Sequence, residues 1–483
     1  MPELKPKIAL MSGDPFDAEF ARSMNRTNLS PMLNWLRLTA LCAFILSLNG
    51  CEVWAFDRVF DGSQDRAQEN PYPYPSHDEK DIERNEFTVA RGDDIVGRLA
   101  VVRLEKGDTL PDVARHFGLG ITAISAANPG VDVWVPEVGK RVMLPLSFIL
   151  PVAPHRGIVI NVAAMRLFRY KGDGNSLAVL TFPLGIGTKE RPTPTGKMSV
   201  ERKEMRPTWH VPSSILKAHR EKGDPLPAVV LPGPQNPLGE SALYLSKSGY
   251  LIHGTNKPAS IGLKATNGCM RLYPEDVKRL YDDTPVHTPV VIVNQPYLIG
   301  QRDGVLYMEA HKPVEGAGDR ERKRIFERLK GFERKTGQPL DWKEIEEVTV
   351  EARGIPVPIS RLTPESTNEA PTTTEVRHPE KLYGKPEVPE LKLDAWNVLA
   401  ANVADETEAR RIAAMINHQG PPIPARVLVG RDRYRVMAGP FKDVGEADDA
   451  IKRLKIDLEL NGILVEPVSE PVQKLVQQPP PGV

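Results

Sequence analysis

Cys269 is the residue in this chain with the clearest chemistry. It stands in Thr266-Asn267-Gly268-Cys269-Met270-Arg271-Leu272, sixteen residues after the histidine of Ile252-His253-Gly254-Thr255. A thiol, an imidazole and a glycine beside the thiol are the parts of a cysteine acyl-transfer centre. Near neutral pH a thiol is mostly protonated, so a nearby base such as His253 must take its proton or hold the thiolate as an ion pair. The plainer readings are an inert buried cysteine and a hydrogen-bonded core histidine.

The other cysteines, Cys42 and Cys51, lie in or at the end of the chain's one strongly apolar run, from Leu36 to Cys51. Its uncharged part, about a dozen residues, is too short to span a bilayer comfortably and suits the core of an export signal, with Arg26 and Arg37 as its positive flank. Leu48-Asn49-Gly50-Cys51 resembles a bacterial lipobox, whose cysteine is lipidated and becomes the new N-terminus. Asn49 departs from the usual small apolar residue, so simple cleavage near Ala55 stays open. Acidic Asp14, Asp17 and Glu19 precede the basic region, which points to a start at Met24 or Met32. By either route Cys269 becomes the lone thiol of the mature chain. Glu52 after Cys51 is not the Asp that often marks inner-membrane retention, which favours the outer membrane.

The chain has 483 residues, enough for about three domains, and its 46 prolines call for linkers. Lys plus Arg equals Asp plus Glu at 63 each, without a long basic block, which argues against nucleic acid as a partner. Three cysteines and no His or carboxylate set at ligand spacing argue against a metal or cofactor. Residues 1–51 read as the export signal and 52–86 as a tether around Pro71-Tyr72-Pro73-Tyr74-Pro75. Residues 354–392 read as a Pro/Thr-rich, semi-extended linker, and 471–483 as a disordered tail.

Three folded units remain. In the first, 87–146, Val101 to Leu104 reads as a strand that turns at Lys106-Gly107-Asp108. Asp108 or Thr109 caps the helix that follows, a second helix ends at Asn128-Pro129, and Arg141 to Leu144 closes as a strand. With its Gly-Asp-Thr-Leu and Asn-Pro landmarks, this strand-helix-helix-strand unit resembles a LysM domain, which implies a groove for N-acetylglucosamine-containing glycans. The last unit, 393–470, alternates strands with helices at 406–417 and near 446–455, as a ferredoxin-like α+β sheet would. Its Tyr434-Arg435-Val436-Met437-Ala438-Gly439-Pro440-Phe441 resembles a SPOR domain, which implies binding to peptidoglycan glycan strands stripped of stem peptides.

The central unit, 150–313, is β-rich. Ile158 to Val162, Met165 to Tyr170 and Leu177 to Leu184 read as strands, and Thr193-Pro194-Thr195-Gly196 as a turn. Its ordered landmarks are Thr193-Pro194-Thr195-Gly196, then Pro232 to Gly239, Ile252-His253-Gly254-Thr255 and Gly268-Cys269-Met270-Arg271-Leu272. Together they resemble the YkuD-type L,D-transpeptidase family from about 157 to 293. The whole chain is therefore expected to be multidomain, a β-rich YkuD-type catalytic domain between a small α+β LysM-like domain and a ferredoxin-like SPOR-like domain.

That resemblance implies a reaction. Cys269 attacks a tetrapeptide stem of peptidoglycan, D-alanine leaves, and the thioester passes to an amine of another stem or of an envelope protein, or to water. Main-chain N–H groups at Gly268 and Cys269 would hold the oxyanion. The Gly254 carbonyl would orient His253, and Arg271, Asn267 and Thr255 would contact substrate. Many family members carry histidine where this chain has Asn267, which implies a changed loop contact. The expected setting is the periplasm, with a lipid at Cys51 as membrane anchor and peptidoglycan stems and glycans as partners. Residues 314–353 read as a helical extension, with Asp341-Trp342-Lys343-Glu344 opening one helix.

Overall fold

The computed structural model describes residues 82–90, 92–172, 177–221, 223–314, 318–360 and 372–468. The export signal, Cys51, most of the tether and the tail expected at 471–483 lie outside the described residues.

Nine strands form the central sheet. They run in the order Glu86–Val89, Leu177–Pro183, Arg166–Lys171, Gly157–Asn161, Pro289–Val293, Gly196–Met205, Ser241–Leu245, Leu251–His253, Met270–Arg271. Two neighbouring pairs are parallel: Gly157–Asn161 with Pro289–Val293, and Leu251–His253 with Met270–Arg271. Strand periodicity sends alternate side chains to opposite faces. Ile158 and Ile160 enter one apolar cluster with Leu243, Ile252, Met270 and Leu280, while Val159 enters another. A sheet buried on both faces explains the near-continuous apolar run at 158–160.

The second cluster is shared with the first unit. Leu99–Arg103 pairs antiparallel with Arg141–Leu144, and the helices Leu110–His116 and Ile121–Ala127 lie between them in sequence. Thr109 caps the first helix by accepting from the Asp112 N–H, while Asp108 accepts from the Glu105 N–H. Val102, Leu110, Phe117 and Leu144 of this unit pack in one core with Val159, Phe168, Tyr170 and Val179 of the central sheet. Polar ties follow the same seam: Arg166 donates to the Gly118 carbonyl at 3.1 Å, Tyr273 to the Leu119 carbonyl at 3.1 Å, and Arg115 pairs with Glu275 at 2.9 Å.

Three segments differ from expectation. The expected boundary between tether and first unit, at 86/87, falls inside the strand Glu86–Val89, which is the outer edge of the central sheet. Its alternation suits it to that edge, because Phe87 is buried and its two neighbours are not. Tyr297–Arg302 and Val305–Ala310, expected to extend the catalytic unit, instead form a three-stranded sheet with Val357–Pro358. This sheet packs on the helices Gly318–Thr336 and Trp342–Glu351 through Met308, Ile325, Leu329 and Ile345, giving the helical extension a core of its own.

The third difference is in the 354–392 linker, which is fastened down where it is described. Thr373–Val376 adds a parallel strand to Leu99–Arg103, Leu382 enters the shared core, and His378 lies 2.9 Å from Asp108. β-Branched residues between the prolines fit an open sheet edge, which proline spacing alone does not reveal. The last body is a four-stranded sheet, Ala425–Val429, Tyr434–Phe441, Trp396–Val403, Ile463–Val465, with the helices Glu406–Asn417 and Val444–Leu458 around a separate core.

Candidate active site

The parallel pair at the end of the central sheet sets the site. Its register places Ile252 beside Met270 and His253 beside Arg271. Ile252 and Met270 are fully buried in the core, so the alternation turns Cys269, Arg271 and His253 together to the other face. His253 is buried and Cys269 is partly exposed. The His253 ring nitrogen Nδ1 lies 2.7 Å from the Gly254 carbonyl. A carbonyl can only accept, so Nδ1 carries the proton and Nε2 is left as the basic nitrogen.

The electrostatics keep the resting pair neutral. Burial, followed by the nearby Arg271 charge, pushes the His253 imidazole down to about 3, against backbone hydrogen bonds with Gly254 and Leu238 that act the other way. Burial pushes the Cys269 thiol up, opposed by the Leu251 N–H and by Arg271. The thiol donates to the Gly249 carbonyl at 3.6 Å, so proton transfer to His253 requires that bond to be exchanged. Arg271 donates to Ser260 Oγ at 3.0 Å, while its buried Nε has no partner. Burial also lowers Arg271 to about 10, which still leaves it cationic at neutral pH.

The Cys269 loop is held from both sides. Gly268 has φ +105°, and a Cβ there would lie 2.8 Å from the Tyr250 ring, so both backbone and space require glycine. The Gly268 N–H donates to Thr266 Oγ1 at 3.2 Å, and that hydroxyl donates on to the Cys269 carbonyl at 2.6 Å. Gly268 therefore spends its N–H within the loop. The Cys269 N–H makes no hydrogen bond to another described residue, so it is the main-chain donor left open beside the thiol.

The other expected substrate contacts sit differently. Asn267 is exposed and accepts from Arg191 Nη1 at 3.0 Å. Thr255 is buried, and its hydroxyl accepts the Lys257 N–H at 2.9 Å, which shapes a turn behind the site. In the sequence, Thr193 and Thr266 stand out only as parts of landmarks. Their roles depend on where loops distant in sequence cross, and the nearest local signal was a threonine three residues before the nucleophile.

Residues 155–292 match the family model of the L,D-transpeptidase catalytic domain, YkuD, and residues 393–466 match that of the SPOR domain. "Probable L,D-transpeptidase ErfK/SrfK" of Escherichia coli (strain K12) is 40% identical over 227 residues, 46% of this chain and 72% of that protein. "Probable L,D-transpeptidase YbiS" of the same strain is 38% identical over 274 residues, 55% of this chain and 89% of that protein. Among solved structures, the catalytic domain from the E. faecium L,D-transpeptidase is 21% identical and covers 30% of this chain and 100% of that one, with a TM-score of 0.23.

Proposed function

Because the chain belongs to the L,D-transpeptidase family and carries a SPOR domain, we propose that it is an exported enzyme acting on peptidoglycan stem peptides through a Cys269 thioester. The observation that carries this reading is the face shared by Cys269, His253 and Arg271 on the parallel strand pair, with the Gly254 carbonyl bracing the imidazole. His253 Nε2 takes the thiol proton as sulfur attacks the carbonyl that precedes the terminal D-alanine. The negative oxygen is met by the Cys269 N–H, and His253 returns the proton to the departing amine as the C–N bond breaks. An acceptor amine then attacks the thioester, releasing the thiol. Arg271, cationic and with Nε unpartnered, suits the substrate carboxylate.

Lipidation at Cys51 would tether the enzyme to the outer membrane, and the LysM-like unit and the SPOR domain would hold it on glycan strands. Incubation with tetrapeptide muropeptides followed by mass spectrometry tests the reaction. D-Alanine release and a thioester mass at Cys269 are expected, and both should vanish in Cys269→Ala while sacculus binding persists. A 3,3-linked dimer identifies a stem acceptor, a tripeptide identifies water, and an isopeptide to lysine identifies an envelope protein. Neither D-alanine release nor an adduct in the parent protein would leave only a peptidoglycan-binding scaffold.

A further inference from the structure

The peptide unit joining Gly268 to Cys269 carries the available N–H, and its other end is held by a residue far away in sequence. Thr193 is buried, and its hydroxyl sits between two backbone groups: it accepts the Gly187 N–H at 2.9 Å and donates to the Gly268 carbonyl at 2.9 Å. Accepting from an N–H and donating to a carbonyl uses the hydroxyl in one fixed sense, so its proton is committed to Gly268. A trans peptide is planar, with its C=O and N–H pointing in opposite directions. Holding the Gly268 oxygen therefore fixes the direction of the Cys269 N–H. Thr266 fixes the peptide units on either side, through the Gly268 N–H and the Cys269 carbonyl.

We propose that Thr193 is a positioning residue for this reaction, one that aims the Cys269 N–H at the oxyanion of the acyl-transfer intermediate without touching substrate. The fold has made room for it. The 188–193 loop doubles back so closely on Gly187 that a Cβ there would lie 2.2 Å from the Arg191 carbonyl and 2.6 Å from the Thr193 N. Gly187 is itself tied into the strand pair that leads to Thr266, and the Thr188 N–H donates to the Thr266 carbonyl at 3.0 Å. One short loop thus carries the hydroxyl to the carbonyl end of the peptide that joins Gly268 to Cys269. The role is separable from nucleophilicity, because the Thr193 hydroxyl hydrogen-bonds the backbone of Gly187 and Gly268 and not the thiol or His253.

This inference rests on the thioester reading above, and its test keeps the two apart. Thr193→Val preserves shape and removes the hydroxyl, whereas Thr193→Ser keeps it. Two rates are measured on the full-length protein: acylation of Cys269 by a tetrapeptide stem, and alkylation of the same thiol by iodoacetamide, which forms no oxyanion. Thr193→Val should slow acylation by about 10- to 100-fold, somewhat less than the loss of an entire oxyanion donor. KM and alkylation should stay within about twofold, as expected when only transition-state stabilisation is lost. Thr193→Ser should recover acylation to within about threefold of the parent, since the donated hydrogen bond is retained. Parent-like acylation in Thr193→Val, an equal fall in both of its rates, or failure of serine to rescue would each overturn the assignment. A parent that is alkylated but never acylated would overturn the transpeptidase reading, and this assignment with it.

Discussion

The two modules that flank the catalytic sheet are attached in opposite ways. The first unit has no core separate from the enzyme: Phe117 and Leu144 from one side and Phe168 and Val179 from the other fill a single apolar cluster. The SPOR domain has its own core, built on Val398, Ala409, Ile416, Val436 and Leu454, and meets its neighbours through polar contacts. Arg411 pairs with Asp132 at 2.8 Å, His418 Nε2 lies 3.0 Å from Asp112 Oδ1 with its ring against Trp134, and Lys257 reaches Asp457 at 3.3 Å. Apolar burial is lost as a unit when a shared core opens. A seam of ion pairs and hydrogen bonds can exchange with water piece by piece. The first module is therefore part of the catalytic domain's fold, and the second brings a core of its own to a polar seam.

Cutting into the shared core should have the largest effect. Phe168 is 2% exposed, and Phe168→Ala should cost about 3–5 kcal/mol. Hydrogen exchange should then show 99–144 and the central sheet losing protection together while the SPOR domain keeps its own. Independent melting of 99–144 would break the contrast.

Acid should separate the same bodies. Native His253 stays neutral down to about 3, while the unfolded chain binds that proton below about 6.5, so stability is intact above 6.5 and lost as pH falls toward 3. From pH 6.5 to 5 this amounts to about 2 kcal/mol of the catalytic body's stability. Denaturant titrations at the two pH values should show that loss in peptides of the central sheet and much less of it in the SPOR core. His253→Gln should flatten the dependence.

The seam should respond least. Asp112 is buried, and its carboxyl is held below the usual range although burial raises it, because the His418 hydrogen bond and charge, the Thr109 hydrogen bond and the Lys385 charge together outweigh that cost. His418→Ala should weaken docking by about 1 kcal/mol, the scale of one net hydrogen bond. Limited proteolysis should then release residues 393–468 faster, with little change in the melting of the central sheet. If the SPOR domain unfolds together with the sheet in this variant, the two attachments are not different in kind.

Much of this was legible locally. The apolar stretches at 158–162 and 165–170 marked strands of the central sheet, and the Thr109 cap marked a helix start, because each is a local signal of residue type and spacing. The linker at 354–392 was less legible. Its prolines describe stiffness, but whether Thr373–Val376 finds a sheet edge depends on Leu99–Arg103, more than 270 residues earlier.

The sequence alone singled out Cys269 and His253, since a thiol with an upstream histidine in that ordered set of landmarks narrows the candidate chemistry. Only the tertiary structure decided which main-chain N–H is available at that thiol. Gly268 spends its N–H on Thr266, and Thr193 arrives from a distant loop to hold the next peptide unit. Residue type and spacing are carried by the chain itself, whereas the direction of a peptide dipole is fixed by the groups that pack against it after folding.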